Sequence, residues 1–166
     1  MLAGRLLSKT MFPFVPEELG SDFSLDEALN WGTLPVVYGA AHREETLRAY
    51  TDLYLREEIQ AEALVKDIAG YARFLPVAAL MHGQIINVSA LARDTGVSRA
   101  TMESYLQILE DTLLAFRLPA TQDTLRVRQK RHPKLYWIDP GLVRALRGEL
   151  RLPLGAAKGS LFEGFV

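Results

Sequence analysis

Apolar residues between positions 87 and 110 recur at helical spacing and predict two short helices joined by a tight turn. Ser89 and Ser98 are the predicted N-caps of these helices. Gly96 stands where the turn needs a residue that tolerates positive φ, and the small Ala92 lets the helices cross closely. The second helix would bury Met102, Tyr105, Leu106 and Leu109. This pattern is typical of a helix-turn-helix, which can place its second helix in a DNA groove.

The pattern changes after residue 111. Residues 113–120 (LLAFRLPA) and 134–139 (KLYWID) are short apolar runs that predict strands, and a polar, basic segment, 121–133, joins them. Two strands joined by a basic loop directly after a recognition helix have the layout of a winged helix. The expected fold is therefore mainly α (α+β), a helical bundle followed by a winged helix-turn-helix with a small β-hairpin wing.

Helical periodicity and Pro/Gly breaks divide the rest of the chain. The predicted regions are an irregular N-terminal linker (1–21), a helical bundle (22–83), the winged helix-turn-helix (84–139) and a C-terminal region (140–166). The predicted helices of the bundle are 24–30, 43–65 and 66–82. Ser24 and Asp139 are predicted N-caps, while 32–38 and 155–160 are expected to be a turn and a loop. Residues 161–166 (LFEGFV) read as a helix start without a polar end, so we expect the chain to be a fragment.

Composition excludes several kinds of site and several classes of protein. The chain has no cysteine, which excludes disulfides and thiolate metal sites. No apolar run approaches the roughly 18 residues of a membrane span, and the N-terminus lacks the apolar block of a signal peptide. The expectation is a cytoplasmic protein that does not bind a membrane.

Charge is unevenly distributed along the chain. Residues 1–66 carry a net charge of −5 and residues 67–166 a net charge of +4, which together give the overall −1. The densest cationic stretch lies in the predicted wing. Only the second half of the chain is therefore expected to meet a polyanion.

The predicted nucleic-acid contacts lie on the second helix and in the wing. On the helix they are Arg99, Thr101 and Ser104, and in the wing they are Arg126, Arg128, Lys130 and Arg131. Glu103, Glu110 and Asp111 belong to the same helix and would repel phosphate. The alternative is a compact helical module that packs or contacts protein without touching DNA.

Catalytic and metal-binding patterns are missing from the sequence. His42, His82 and His132 stand far apart without a second ligand at helical spacing, so no metal site is expected. The consecutive carboxylates Glu57 and Glu58 point in different directions on a helix and would not form a catalytic pair. The chain itself is expected to be non-catalytic and to hold no cofactor.

Seven pieces of the sequence occur in the order seen in one protein family. They are LAGR (2–5), FPFVPEELG (12–20), WGTLPVV (31–37), YTDLYLREEI (50–59), GQIINVSALARDTGVSRATMESYLQILEDTLL (83–114), KLYWIDPGLVRAL (134–146) and GSLFEGFV (159–166). With these pieces the chain resembles a family of prokaryotic AAA+ ATPases, in which an N-terminal P-loop core precedes a C-terminal domain of unknown function.

The resemblance carries several implications. The P-loop would lie upstream of the LAGR piece, and this chain has no G-x-x-x-x-G-K-[ST] motif. Residues 1–21 would be the tail of the missing ATPase core. ATP and Mg²⁺ would belong to the full-length parent, where Arg5 is a candidate for an arginine finger or a sensor.

Two functions of different classes follow from these observations. In the first, the chain is a non-catalytic accessory region of an AAA+ ATPase whose winged helix binds DNA. In the second, it is a protein-interaction module that docks the ATPase core or forms a homo-oligomer. The acidic N-terminal half favours the second function for that part of the chain.

Overall fold

The computed structural model describes residues 11–54, 67–119 and 132–166. These residues are mainly helical and contain a small antiparallel sheet. The helices are α1 Pro16–Leu19, α2 Leu25–Trp31, α3 Pro35–Tyr38, α4 Arg43–Ala49, α5 Ile68–Leu80, α6 Val88–Asp94, α7 Arg99–Asp111, α8 Pro140–Arg147 and α9 Ala157–Phe165. The strands are β1 Gln84–Ile85, β2 Ala115–Leu118 and β3 Lys134–Trp137. The predicted mainly α, α+β class is confirmed at this level.

The sheet has the order β1-β3-β2, and both pairings are antiparallel. In its register Phe116 lies opposite Tyr136. The two longer strands match the predicted ones, whereas the two-residue β1 is too short to show an alternating pattern. The Trp137 indole donates a hydrogen bond to the Ala78 carbonyl at 3.1 Å, so β3 is tied to α5.

Helices α6 and α7 form the predicted pair. Ser98 caps α7 by accepting a hydrogen bond from the Thr101 amide at 3.0 Å, and Gly96 has φ +70° as expected. The prediction that Ser89 caps α6 is wrong. Asn87 is the cap, because its side-chain oxygen accepts from the Ser89 amide at 3.1 Å and from the next amide at 3.2 Å. An Asx side chain one residue before the helix outcompetes a serine inside it.

One hydrophobic core joins segments that are distant in sequence. Its buried members include Leu29 of α2, Phe74 of α5, Leu106 of α7, Trp137 of β3 and Leu142 of α8. Helix α8 packs against both α2 and α5. The core therefore extends across the predicted region limits at 83 and 139, and those limits stay predictions.

Several predicted boundaries differ from the observed ones. The expected turn at 32–38 contains helix α3, which begins at Pro35, and the expected loop at 155–160 is helical from Ala157. Proline at the first helical position lacks only an amide that would be unpaired there. Helix α4 ends at Ala49 and continues as a π-helical turn, Tyr50–Tyr54, and the rest of predicted helix 43–65 lies outside the described residues. Helix α5 passes through Pro76 because buried side chains hold it on both sides.

Asp139 connects two segments that are distant in sequence, the start of α8 and the connection between α2 and α3. Its Oδ2 accepts a hydrogen bond from the Thr33 amide at 2.7 Å, and its Oδ1 caps α8 by accepting from the Leu142 amide at 3.0 Å. A Cβ at Gly32 would lie 2.0 Å from this carboxylate, so only glycine allows the approach. Complete burial raises the pKa of Asp139 to about 6, although the backbone amides oppose the shift. The predicted cap is confirmed, and it also anchors the α2–α3 connection.

Candidate nucleic-acid interface

The outer surface of α7 carries two of its three predicted contacts. The Arg99 side chain is 63% exposed, and Ser104 is exposed one turn further on. Thr101 is partly buried, and its hydroxyl lies 2.8 Å from that of Ser98, so it belongs to the helix cap. Arg99 and Ser104 are thus available to a ligand, while Thr101 is held at the helix start.

The remaining predicted contacts fall outside the described residues. These are the wing cations Arg126, Arg128, Lys130 and Arg131, together with Arg5. Their roles stay predictions. The strands that flank the predicted wing in the sequence are β2 and β3, which are adjacent and antiparallel in the sheet.

The centre of the exposed face of α7 carries side chains that are not among the predicted nucleic-acid contacts. At 3.6 residues per turn, Ala100, Glu103 and Gln107 project between Arg99 on one flank and Ser104 on the other. Ala100 and Gln107 are exposed, and Glu103 is partly exposed. In the sequence, the spacing of these positions from the buried apolar residues of α7 already places them on the exposed face of the helix.

Arg117 of β2 neutralises two of the three carboxylates of α7. Its guanidinium donates to Glu110 Oε1 at 3.1 Å through Nε and to Oε2 at 2.5 Å through Nη2. It also donates to Glu103 Oε2 at 3.0 Å through Nη1. The hydrogen bond from Arg117 holds the pKa of Glu110 below its usual range, and Glu110 in turn raises the pKa of Arg117. The expected repulsion of phosphate is therefore reduced at both glutamates.

No local pattern in the sequence predicts the pairing of Arg117 with Glu103 and Glu110. Arg117 stands seven residues after Glu110 and fourteen after Glu103, beyond the end of the helix. The reversal of the chain between α7 and β2 brings the groups together. Leu113, which has φ +57°, lies in this reversal.

His82 is buried between β3 and α9. Its Nδ1 accepts a hydrogen bond from the Trp137 amide at 3.1 Å, and among the described residues its Nε2 has no partner in hydrogen-bond geometry. A Cβ at Gly164 would lie 2.3 Å from the ring, so α9 approaches it closely. Burial, aided by the charge of Arg147, lowers the pKa of His82 to about 4. The described residues contain no group of three or more His, Asp or Glu that could hold a metal ion.

Comparison with protein-family models matches residues 22–153 to a family described as "Domain of unknown function (DUF8612)". The chain belongs to this family. The DUF8612 match extends from the residues before α2 to those after α8, so it includes the helices α6 and α7 and the three-stranded sheet. Helix α9 lies beyond it.

Two mycobacterial proteins are similar to this DUF8612 chain. They are the uncharacterized proteins Mb2031c of Mycobacterium bovis and Rv2008c of Mycobacterium tuberculosis. Each is 29% identical over 171 residues, which cover 99% of this chain and 38% of the relative. The chain thus spans little more than a third of the length of these relatives. No solved structure gives a significant match.

The described helices of the DUF8612 chain include none that is long and apolar enough to cross a membrane. The longest helices, α5 and α7, have thirteen residues each, and both bury one side in the core.

Proposed function

We propose that this chain is a non-catalytic region of a longer AAA+-type ATPase and that residues 84–139 form a winged helix that binds duplex DNA. The observation that carries the proposal is α7 itself. One side of this helix is buried in the core, and the other side, with Arg99 and Ser104, is open to solvent.

The order of the elements supports a winged helix. Helix α5 is followed by β1, the pair α6 and α7, then β2, the basic segment and β3. The first strand pairs with the third, which places a three-stranded sheet beside the helix pair. In this arrangement α7 would enter the major groove, while α6 would cross the phosphate backbone. The exposed Arg93 of α6 would then contact phosphate.

The wing would supply the salt-dependent part of the affinity. Four cations lie between residues 126 and 131, in the segment that joins β2 to β3. Each phosphate neutralised by a cation releases counterions and steepens the dependence of binding on salt. Pairing of Arg117 with Glu103 and Glu110 lets the helix approach the same phosphates.

The ATPase assignment rests on the family resemblance and is compatible with the length of the relatives. Because the chain covers 38% of each mycobacterial protein, these proteins have room for a P-loop core. ATP and Mg²⁺ would bind in that core, and Arg5 would act there as an arginine finger.

The test is fluorescence anisotropy of a labelled random-sequence duplex at several salt concentrations. We expect micromolar binding that weakens steeply with salt. Changing Arg126, Arg128, Lys130 and Arg131 to Ala should reduce the slope of log K against log salt by about 0.9 for each phosphate that the wing no longer neutralises. A control variant changes to Ala four cations that are ion-paired in other parts of the chain, Arg43, Arg48, Arg151 and Lys158, and should keep the slope. Absence of duplex binding at low salt, or an unchanged slope in the wing variant, would refute the proposal.

A second function, protein interaction, is favoured by an exposed apolar surface near the N-terminus. Met11, Phe12 and Val15 are each about half exposed or more, and they line a cavity of about 620 Å³ together with Phe14 and Pro35. This surface would dock the ATPase core or a second copy of the chain. Sedimentation equilibrium of the wild type and of Phe12→Ser tests self-association, and a monomer at all concentrations would argue against a homo-oligomer.

A further inference from the structure

Glu103 is held in place but keeps one oxygen available. Its Oε2 accepts the hydrogen bond from Arg117 at 3.0 Å, whereas its Oε1 lies 3.8 Å from the Arg99 guanidinium, beyond hydrogen-bond distance. Glu110 differs, because Arg117 donates to both of its oxygens. Among the described residues, Glu103 Oε1 therefore has no hydrogen-bond donor, whereas both oxygens of Glu110 have one.

The position of Glu103 matches that of a residue that reads bases. It projects from the centre of the exposed face of α7, one turn after Ala100, and its side chain is 41% exposed. A carboxylate in this position cannot contact phosphate, because like charges repel. If α7 enters the major groove, Glu103 faces the base edges instead.

We propose that Glu103 selects a cytosine in the duplex, with Oε1 accepting a hydrogen bond from the cytosine N4 amino group. The proposal rests on the DNA-binding function inferred above and adds its base preference. A carboxylate only accepts hydrogen bonds, and cytosine presents only a donor in the major groove. Guanine presents two acceptors there, so it would repel Glu103 at the same position.

Arg117 is the positioning residue in this arrangement. Its hydrogen bond to Oε2 fixes the direction of the Glu103 side chain, and its charge offsets the cost of bringing a carboxylate near DNA. Arg117 is itself fixed by Glu110 through two side-chain hydrogen bonds. Glu103 Oε1 is thus oriented before the duplex binds.

The experiment selects duplexes from a randomised library with the wild-type chain, with Glu103→Gln and with the control Glu45→Gln. Glu45 is an exposed residue of α4, so the control removes the same charge elsewhere. We expect the wild type and the control to require cytosine at one position. Glu103→Gln should reduce that preference at least about fivefold and admit adenine, because glutamine pairs with the adenine N6 and N7 edge.

The outcomes separate this inference from the proposed function. If Glu103→Gln binds every duplex more tightly but keeps the wild-type base preference, Glu103 acts only through its charge and the inference is overturned. If the wild type binds duplexes with steep salt dependence but without a preferred base, the inference fails and the DNA-binding function stands. If the wild type binds no duplex at low salt, both fail.

Discussion

Acid should destabilise the fold through His82, and the variant His82→Gln isolates this effect. The side chain is 1% exposed, and its ring lies against Gly164 of α9. Nδ1 already accepts a hydrogen bond from the Trp137 amide, so a proton cannot be added there without breaking that bond. Burial, with Arg147 nearby, accordingly lowers the pKa to about 4.

The size of the effect follows from the difference between the folded and unfolded pKa values. In the unfolded chain a histidine titrates near pH 6.5, so between pH 6.5 and about 4 the unfolded chain binds a proton that the folded chain does not. The stabilising contribution of neutral His82 is present above pH 6.5 and is lost as the pH falls toward 4. A difference of about 2.5 pKa units corresponds to roughly 3 kcal/mol.

Urea unfolding of the wild type and of His82→Gln from pH 7.5 to pH 4 measures this loss. The variant lacks the titrating group, so the stability advantage of the wild type should shrink by roughly 3 kcal/mol across the range. Titrating groups that do not interact with His82 affect both proteins alike and cancel in the difference, whereas Glu163 is coupled to His82. Stability curves that stay parallel over the whole range would refute the assigned burial and pKa of His82.

Three further variants test the structural roles of Asp139 and Gly96. Asp139→Ala removes the acceptor of the Thr33 and Leu142 amides and should lower the free energy of unfolding by about 3–5 kcal/mol at pH 7. A loss below about 1 kcal/mol in urea unfolding would contradict the bridging role of this side chain. Because the folded pKa of Asp139 is raised to about 6, its contribution makes stability fall as the pH rises from about 4 to 6, opposite to the effect of His82. Asp139→Asn should remove this pH dependence. Gly96→Ala should cost about 1–2 kcal/mol because φ is +70°, and an unchanged melting temperature would show that the turn relaxes without strain.

The local signals in the sequence predicted local structure well. The caps at Ser24, Ser98 and Asp139 lie where they were expected, and so do the turn glycine Gly96 and the buried face of α7. Each of these features depends on residues within about one helical turn of each other, so a pattern along the chain contains it. The cap of α6 was assigned to Ser89 instead of Asn87, because two good capping residues stand close together there.

The candidate interface was predicted only in part. Arg99 and Ser104 lie on the outer face of α7 as the helical pattern indicated, while Thr101 belongs to the cap. The acidic residues were expected to oppose DNA, and the structure instead pairs Glu103 and Glu110 with Arg117. That pairing depends on how the chain reverses into β2, which helical periodicity does not describe.

What the sequence determines by itself is the type of each long element, the helix caps at Ser24, Ser98 and Asp139 and the division into a buried and an exposed side, because these follow from interactions between near neighbours. Tertiary structure alone decides which distant groups meet. Asp139 reaches the Thr33 amide across 106 positions, and the Trp137 amide reaches His82 across 55. A buried carboxylate needs hydrogen-bond partners that the fold supplies, so the identity of those partners is a property of the packed chain.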